Sequence, residues 1–215
     1  MSIIDNVKLY TNDLPDNIEL IGDLAVDTEA MGLKITRDKL CLVQLKDTNG
    51  NICLVKFNDN NYSAPNLKKV LSDKNRVKIF HYARFDVAAL YFYLNTWSEP
   101  VYCTKIASRL VRTYTSAHSL RELCYELLGV RLNKQQQCSN WGAEKLSKEQ
   151  ILYAASDVLH LHSLRDALDL LLRENNRYDL AKRCFECLHP MVELDINGWD
   201  PMALFNHSAF HSQQF

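Results

Sequence analysis

DLAVDTEAMGLKITRDKLCLVQLKDTNGNICLVKF, residues 23–57, holds three short runs with the apolar density and alternation of β-strands: 23–28, 38–46 and 51–57. Between the second and third, Asp47-Thr48-Asn49-Gly50 supplies turn chemistry, and its Asn-Gly step is the strongest short hairpin signal in the chain. The reading is an antiparallel hairpin with the first strand beside it. On a strand, residues two apart point the same way. Asp27 and Glu29 therefore project together, with Thr28 facing the opposite side. Leu24, Ala25 and Val26 argue that this strand is buried. Two adjacent buried carboxylates repel unless something positive lies between them. The plain alternative is a surface strand with both acids solvated.

Working outward, Pro65 opens a helix in APNLKKVLSD, as proline in a first turn does. VKIF at 77–80 reads as a short buried strand, and 84–94 as a helix. A last strand at 101–103 leads into a helix at 104–111. Residues 119–128 form a helix closed by Gly129. Ser147 and Gln150 make a capping box that opens a long helix to about residue 173, and 177–188 is helical again. A meander followed by alternating strand and helix predicts an α/β fold: a mixed five-stranded sheet flanked by helices. One domain is expected over residues 1–190. The 191–215 tail shows little regular pattern but carries Trp199, Met202, Leu204, Phe205, Phe210 and Phe215. Such a tail packs on its own domain or, as expected here, in an oligomer interface.

With 47% hydrophobic and 24% charged residues, the 215-residue chain has the composition of an ordinary globular domain. Its longest apolar runs, such as LDLLL at 168–172, fall far short of the ~20 residues of a membrane span. The start lacks a signal-peptide pattern, so the cytoplasm is expected. Seven cysteines at irregular spacings read as free thiols. Cys184 and Cys187 with nearby His189 lack the second ligand pair of a zinc site. The net charge of −1 is unlike that of a protein tracking long nucleic acid. Either the substrate is short or the basic groups are concentrated. Lys105, Arg109 and Arg112 recur at helical spacing, which makes either a substrate-facing stripe or a solvated face.

Three further residues complete a chemical set. Asp86 lies just inside the helix after VKIF, where a carboxylate is favoured in any case. Tyr153 and Asp157, four apart, share a helix face, with only Ala154, Ala155 and Ser156 between them. Four carboxylates suit hard cations such as Mg²⁺ or Mn²⁺. Two such ions ~4 Å apart stabilise the attacking and leaving oxygens of an in-line displacement. Tyr153 would orient the attacking water and help to deprotonate it. The set points to metal-assisted phosphodiester hydrolysis.

VDTEA, FHYARFD and YAASD resemble the three exonuclease motifs of the DEDD superfamily, in order and with its spacing. The tyrosine four residues before the last aspartate marks the DEDDy branch, and residues 20–173 resemble ribonuclease D. SAPNLKKVLSD, CTKIASRLVRTYT, LNKQQQCSNW and LDINGWDPMALFNHS are similar to the alphaproteobacterial nanoRNase C (NrnC) family over almost the whole length. The resemblance implies a ribonuclease H-like fold without the HRDC domains of ribonuclease D. It also implies a 3′–5′ exonuclease that takes short RNA oligonucleotides down to and including dinucleotides, with DNA left open, and a homo-octameric ring. By the same likeness Asp27, Glu29, Asp86 and Asp157 hold the metals and Tyr153 orients the water. Leu33 matches a leucine that wedges between two bases, although neighbouring Ala30 and Met31 depart from relatives; the alternative is core packing. His81, Arg84, Lys134, Gln137 and Trp141 are candidate substrate contacts. For His81 the alternative is a buried structural histidine, for Arg84 a solvated side chain, and for Trp141 a core residue. Lys134 and Gln137 sit in a polar loop long enough to reach a substrate. Two other readings stand beside this one. One is ribonuclease D-like trimming of longer structured RNA. The other is an inactive nucleic-acid-binding module, although such relatives lose metal carboxylates and this chain keeps all four.

Overall fold

The computed structural model describes residues 6–132 and 139–206. Lys134 and Gln137, and Phe210 and Phe215 of the tail, lie outside the described residues. The strands are β1 (Val7–Thr11), β2 (Leu24–Ala30), β3 (Leu40–Lys46), β4 (Ile52–Lys56), β5 (Lys78–Phe80) and β6 (Val101–Cys103). They form one sheet in the order β1-β4-β3-β2-β5-β6, mixed as expected but with six strands instead of five. The addition is β1, which pairs in parallel with β4 at the sheet edge. Its side chains are all at least partly exposed, so VKLYT carries none of the apolar density that marks a central strand. β2, β3 and β4 make the antiparallel meander. The β3–β4 turn is organised by Asp47, whose buried carboxylate accepts from the backbone N–H groups of Asn51 and Ile21. Gly50 supplies the positive φ of 89°.

The helices are α1 (Pro65–Leu71), α2 (Ala83–Leu94), α3 (Thr104–Val111), α4 (Leu120–Leu128), α5 (Lys148–Leu159), α6 (Leu161–Glu174), α7 (Tyr178–Glu186), α8 (Leu188–Ile196) and α9 (Pro201–Phe205). The capping box of Ser147 with Gln150 forms, and a second joins Ser119 with Glu122 at the start of α4. The single long helix expected after Ser147 is instead two, divided at His160 with φ −106° and ψ 0°. No proline or glycine marks this break. Tertiary contacts explain it: in the first turns of α6, His162 Nε2 lies 3.0 Å from the Asp23 carbonyl and Arg165 binds the Asp23 carboxylate at 2.5 Å. The start of β2 thus fixes the direction of α6 independently of α5.

α5 packs across β2, β3 and β4, while α2 packs across β2, β3, β5 and β6. Leu42, Val43 and Leu45 of β3 and Leu54 and Val55 of β4 are completely buried, as in a sheet covered on both faces. The segment after residue 190 is more regular than its sequence suggests. α8 spans the expected boundary, buries Val192 and packs on α2, and α9 follows. Arg112, read as part of a basic stripe, is 1% exposed, and its guanidinium binds Glu126, Ser108 Oγ and the Ala117 carbonyl. α3 ends one residue earlier, so Arg112 turns inward and only Lys105 and Arg109 remain on the helix. Among the described residues no helix is long and apolar enough to cross a membrane.

Candidate active site

Alternation along β2 assigns its residues to two neighbours in turn. Asp27 and Glu29 meet Asp157, which α5 brings across the sheet: carboxylate oxygens of the three lie within 4.8 Å of one another. Thr28 points to α2, and its Oγ1 donates to Asp86 Oδ1 at 2.7 Å. Asp86 is not part of the tight triad, but it is 3% exposed and its charge is felt by Glu29. Residues 58 and 130 positions beyond Thr28 and Asp27 thus reach one locus through α2 and α5. β3 contributes Gln44, opposite Asp27 in the register, whose Nε2 donates to Asp27 Oδ2 at 3.3 Å.

The electrostatics of this cluster are unfavourable to four free carboxylates. Burial, then the charges of Asp27, Asp157 and Asp86, pushes Glu29 up to about 10. Burial and then Asp27 raise Asp157 to about 8. Burial raises Asp27 to about 7 against a backbone hydrogen bond from Thr28. Asp86 is raised well above the usual carboxylate range by burial and Asp27. Among the described residues no lysine or arginine forms a salt bridge with any of the four. A group of hard oxygen donors with excess negative charge and no protein counter-ion fits divalent cations such as Mg²⁺ or Mn²⁺.

A pocket of about 330 Å³ opens over the cluster, lined by Asp27, Glu29, Asp157, Tyr153, His81 and Lys105 among others. Burial and the neighbouring carboxylates hold the Tyr153 phenol above its ordinary pKa, so it stays protonated. Burial and then Lys105 lower His81 to about 3, so its ring is neutral; its Nδ1 lies 2.9 Å from Thr104 Oγ1. Trp141 is 2% exposed, with its ring centroid 6.1 Å from that of Tyr153: it is a core residue packed beside the tyrosine and does not line the pocket.

Beside this pocket lies a second cavity of about 660 Å³, lined by Leu33, Tyr82, Arg84, Phe85 and Asp195, with Tyr82 common to both. Leu33 is 87% exposed, so it is not a core residue of this chain. Gly32 lets its loop close on Asp38, since a Cβ there would stand 2.3 Å from Asp38 Oδ2. Arg84 is not simply solvated: it grips Asp195 of α8 through Nε and a terminal nitrogen. The structure therefore unites Asp27, Glu29, Asp86, Tyr153, Asp157, His81 and Trp141, and it places Leu33 and Arg84 next door. Gln44 and Thr28 were not singled out by sequence reasoning. A signal existed for Gln44, a lone amide within the apolar run LCLVQL.

The 3′–5′ exonuclease family model matches residues 9–173. Ribonuclease D of Gluconacetobacter diazotrophicus is 30% identical over 172 residues, 79% of this chain and 43% of that protein. This chain spans 43% of the length of that protein, 32% of DNA polymerase I of Aquifex aeolicus and 51% of ribonuclease D of Xanthomonas oryzae pv. oryzae. Brucella melitensis NrnC bound to pGG is 44% identical with a TM-score of 0.88, covering 94% of this chain and 99% of that one. The same protein with bound Mg²⁺ is 43% identical with a TM-score of 0.88, covering 94% and 100%. The acids gathered from β2, α2 and α5 and the match along most of the sequence agree: this chain belongs to the 3′–5′ exonuclease family, on the ribonuclease D-like branch that includes NrnC.

Proposed function

We propose that this metal-dependent 3′–5′ exonuclease hydrolyses very short RNA, down to and including dinucleotides, releasing 5′-mononucleotides in the cytoplasm. The observation that carries this reading is the carboxylate cluster with its small adjoining pocket. Near-neutral net charge supports a short substrate, because a long strand is held through many phosphate contacts. The exposed Leu33 beside a second cavity supports it too, as an apolar side chain packs on base faces without reading sequence. The NrnC relative bound to pGG is consistent with a substrate of that size.

In this reading Asp27, Glu29, Asp86 and Asp157 hold two divalent cations. When bound, such ions supply charge stabilisation at the scissile phosphate. Tyr153, on the same helix face as Asp157 and lining the pocket, orients the attacking water through its hydroxyl. Water oxygen bonds to phosphorus while the bond to the preceding 3′ oxygen breaks; the proton shed by the water passes to solvent, the departing 3′ oxygen takes one up to leave as a hydroxyl, and the terminal nucleotide is freed. Neutral His81, and Lys105 at the pocket wall, contact the substrate backbone, and Lys134 and Gln137 add contacts to it. Trp141 keeps Tyr153 in place. Leu33 separates the two bases, and Arg84, tethered to Asp195, forms the wall beyond it. Trp199, Met202, Leu204 and Phe205 are exposed at the C-terminal end, and this apolar surface supports assembly as a homo-oligomer, by likeness an octameric ring.

The test is a chain-length series of 5′-labelled RNAs from two residues upward, with Mn²⁺. Dinucleotides should be consumed as fast as any longer substrate, and Leu33→Ala should raise KM for them about tenfold, the loss of one base stack of ~1–3 kcal/mol. Accumulating dinucleotides alongside rapid decay of long RNA would instead establish ribonuclease D-like trimming. A stable monomer by light scattering would remove the ring.

A further inference from the structure

Two polar side chains touch the acidic cluster without lining up as ligands. Thr28 Oγ1 is 2.7 Å from Asp86 Oδ1, and Gln44 Nε2 is 3.3 Å from Asp27 Oδ2. Both are buried, Gln44 completely. Gln44 Oε1 has no hydrogen-bond partner among the described residues. A buried amide with half its hydrogen-bonding capacity unmet carries a desolvation penalty that an apolar side chain would avoid. Every other residue of β3 that is fully buried is apolar, so packing alone would favour leucine or methionine here. The amide stands where the strand register sets it directly across from Asp27.

The chemistry of the two donors is also uniform. Each is neutral. A lysine or arginine at either place would orient the carboxylate equally well, but it would cancel part of the charge that a cation is bound by. A hydroxyl and an amide fix the direction of a carboxylate oxygen and leave its charge in place. Hydrogen-bonded partners of this kind govern how well carboxylates bind metal.

We propose that Thr28 and Gln44 are positioning residues that aim Asp86 and Asp27 with neutral hydrogen bonds, so that the cage meets its cations preorganised and with its charge uncancelled. The inference rests on the metal-holding role proposed above. It also assigns the middle residue of the DTE motif a task of its own: one strand supplies two acids to one side and the support of a third to the other.

The experiment is a Mn²⁺ titration of the full chain without RNA, followed by electron paramagnetic resonance of the free ion. Thermal unfolding and kcat and KM on an RNA dinucleotide are measured alongside. Thr28→Val and Gln44→Leu should each weaken Mn²⁺ binding about tenfold or more, the usual range for such partners. Their kcat should be low at limiting Mn²⁺ and recover as Mn²⁺ is raised, with KM for the dinucleotide unmoved at saturation. Thr28→Ser, which keeps the hydroxyl, should behave as the parent does. If Thr28→Val fails to fold, Gln44→Leu decides alone, since leucine suits a fully buried strand position. Mn²⁺ affinity within twofold of the parent, with only the melting temperature lowered, overturns the positioning role. A parent chain that binds no Mn²⁺ overturns the metal cage itself, and the proposal with it.

Discussion

Two clusters built around buried charged side chains in this molecule follow opposite principles. At Arg112, 1% exposed, each charge is answered within the chain. Nε binds Glu126 Oε1 at 3.2 Å, a terminal nitrogen binds Glu126 Oε2, and another binds Ser108 Oγ at 3.0 Å and the Ala117 carbonyl at 2.6 Å. At Asp27, Glu29, Asp86 and Asp157 the only side-chain donors from other elements, among the described residues, are a hydroxyl and an amide. Burying charge is expensive unless it is paired. The first cluster is complete, and it ties the end of α3 to α4. In the second, the described residues of the protein supply no opposite charge, and in the reading proposed above divalent cations supply it. A deficit of partners therefore distinguishes function from architecture more sharply than burial does.

The largest effect that tests this contrast is on turnover. Asp157→Ala should lower kcat by about a thousandfold or more, several kcal/mol of transition-state stabilisation. The same change removes a repelling charge, so the metal-free melting temperature should hold or rise. Substantial activity in this variant would sink the assignment of the cage.

Arg112→Met should do the reverse. Glu126, 40% exposed at its side chain, can rehydrate, so the loss falls below the usual range for a broken buried pair, at about 2 kcal/mol. That corresponds to a melting temperature lower by roughly 4–8 °C, with kcat close to the parent value. Calorimetry and a standard assay check both halves.

The third effect, smaller again, is a difference of sign in pH dependence. The cage acids ionise near their ordinary values in the unfolded chain but only at about 7, 8 and 10 for Asp27, Asp157 and Glu29 in the folded one. Between those limits the folded state holds more protons, so metal-free stability should fall as pH rises from about 5 to 9. Mg²⁺ or Mn²⁺ should restore it, with a thermal shift that grows over the same range. Glu126 is held below its usual range, chiefly by the hydrogen bond from Arg112. Its contribution is present above the ordinary glutamate pKa and disappears only in acid. A metal-induced shift that is flat with pH would mean that protons and cations do not compete for one site.

How much of this was legible beforehand follows from what kind of signal each feature leaves. The 23–57 meander could be read because apolar density and a turn are local, and β3 and β4 are buried along almost their whole length. The acid set could be read because its motifs keep their spacing. β1 left no such mark, since an exposed edge strand needs no apolar run. The break at His160 is imposed by Asp23, 137 positions away in the chain, through His162 and Arg165. α8 packs on α2 and is joined to it by Arg84 and Asp195, a pair no local pattern announces.

By itself, then, the order of residues settled which groups are present and which local elements carry them: two acids on a strand, one at a helix start, a tyrosine and an acid on another helix. Folding alone decided that these groups gather at one locus, that Thr28 and Gln44 hydrogen-bond to two of the acids, that Leu33 stands free and that Arg112 turns inward. The reason is physical. Propensity and periodicity act over a few residues, whereas the charge an acid feels depends on what the whole fold brings within a few ångströms of it.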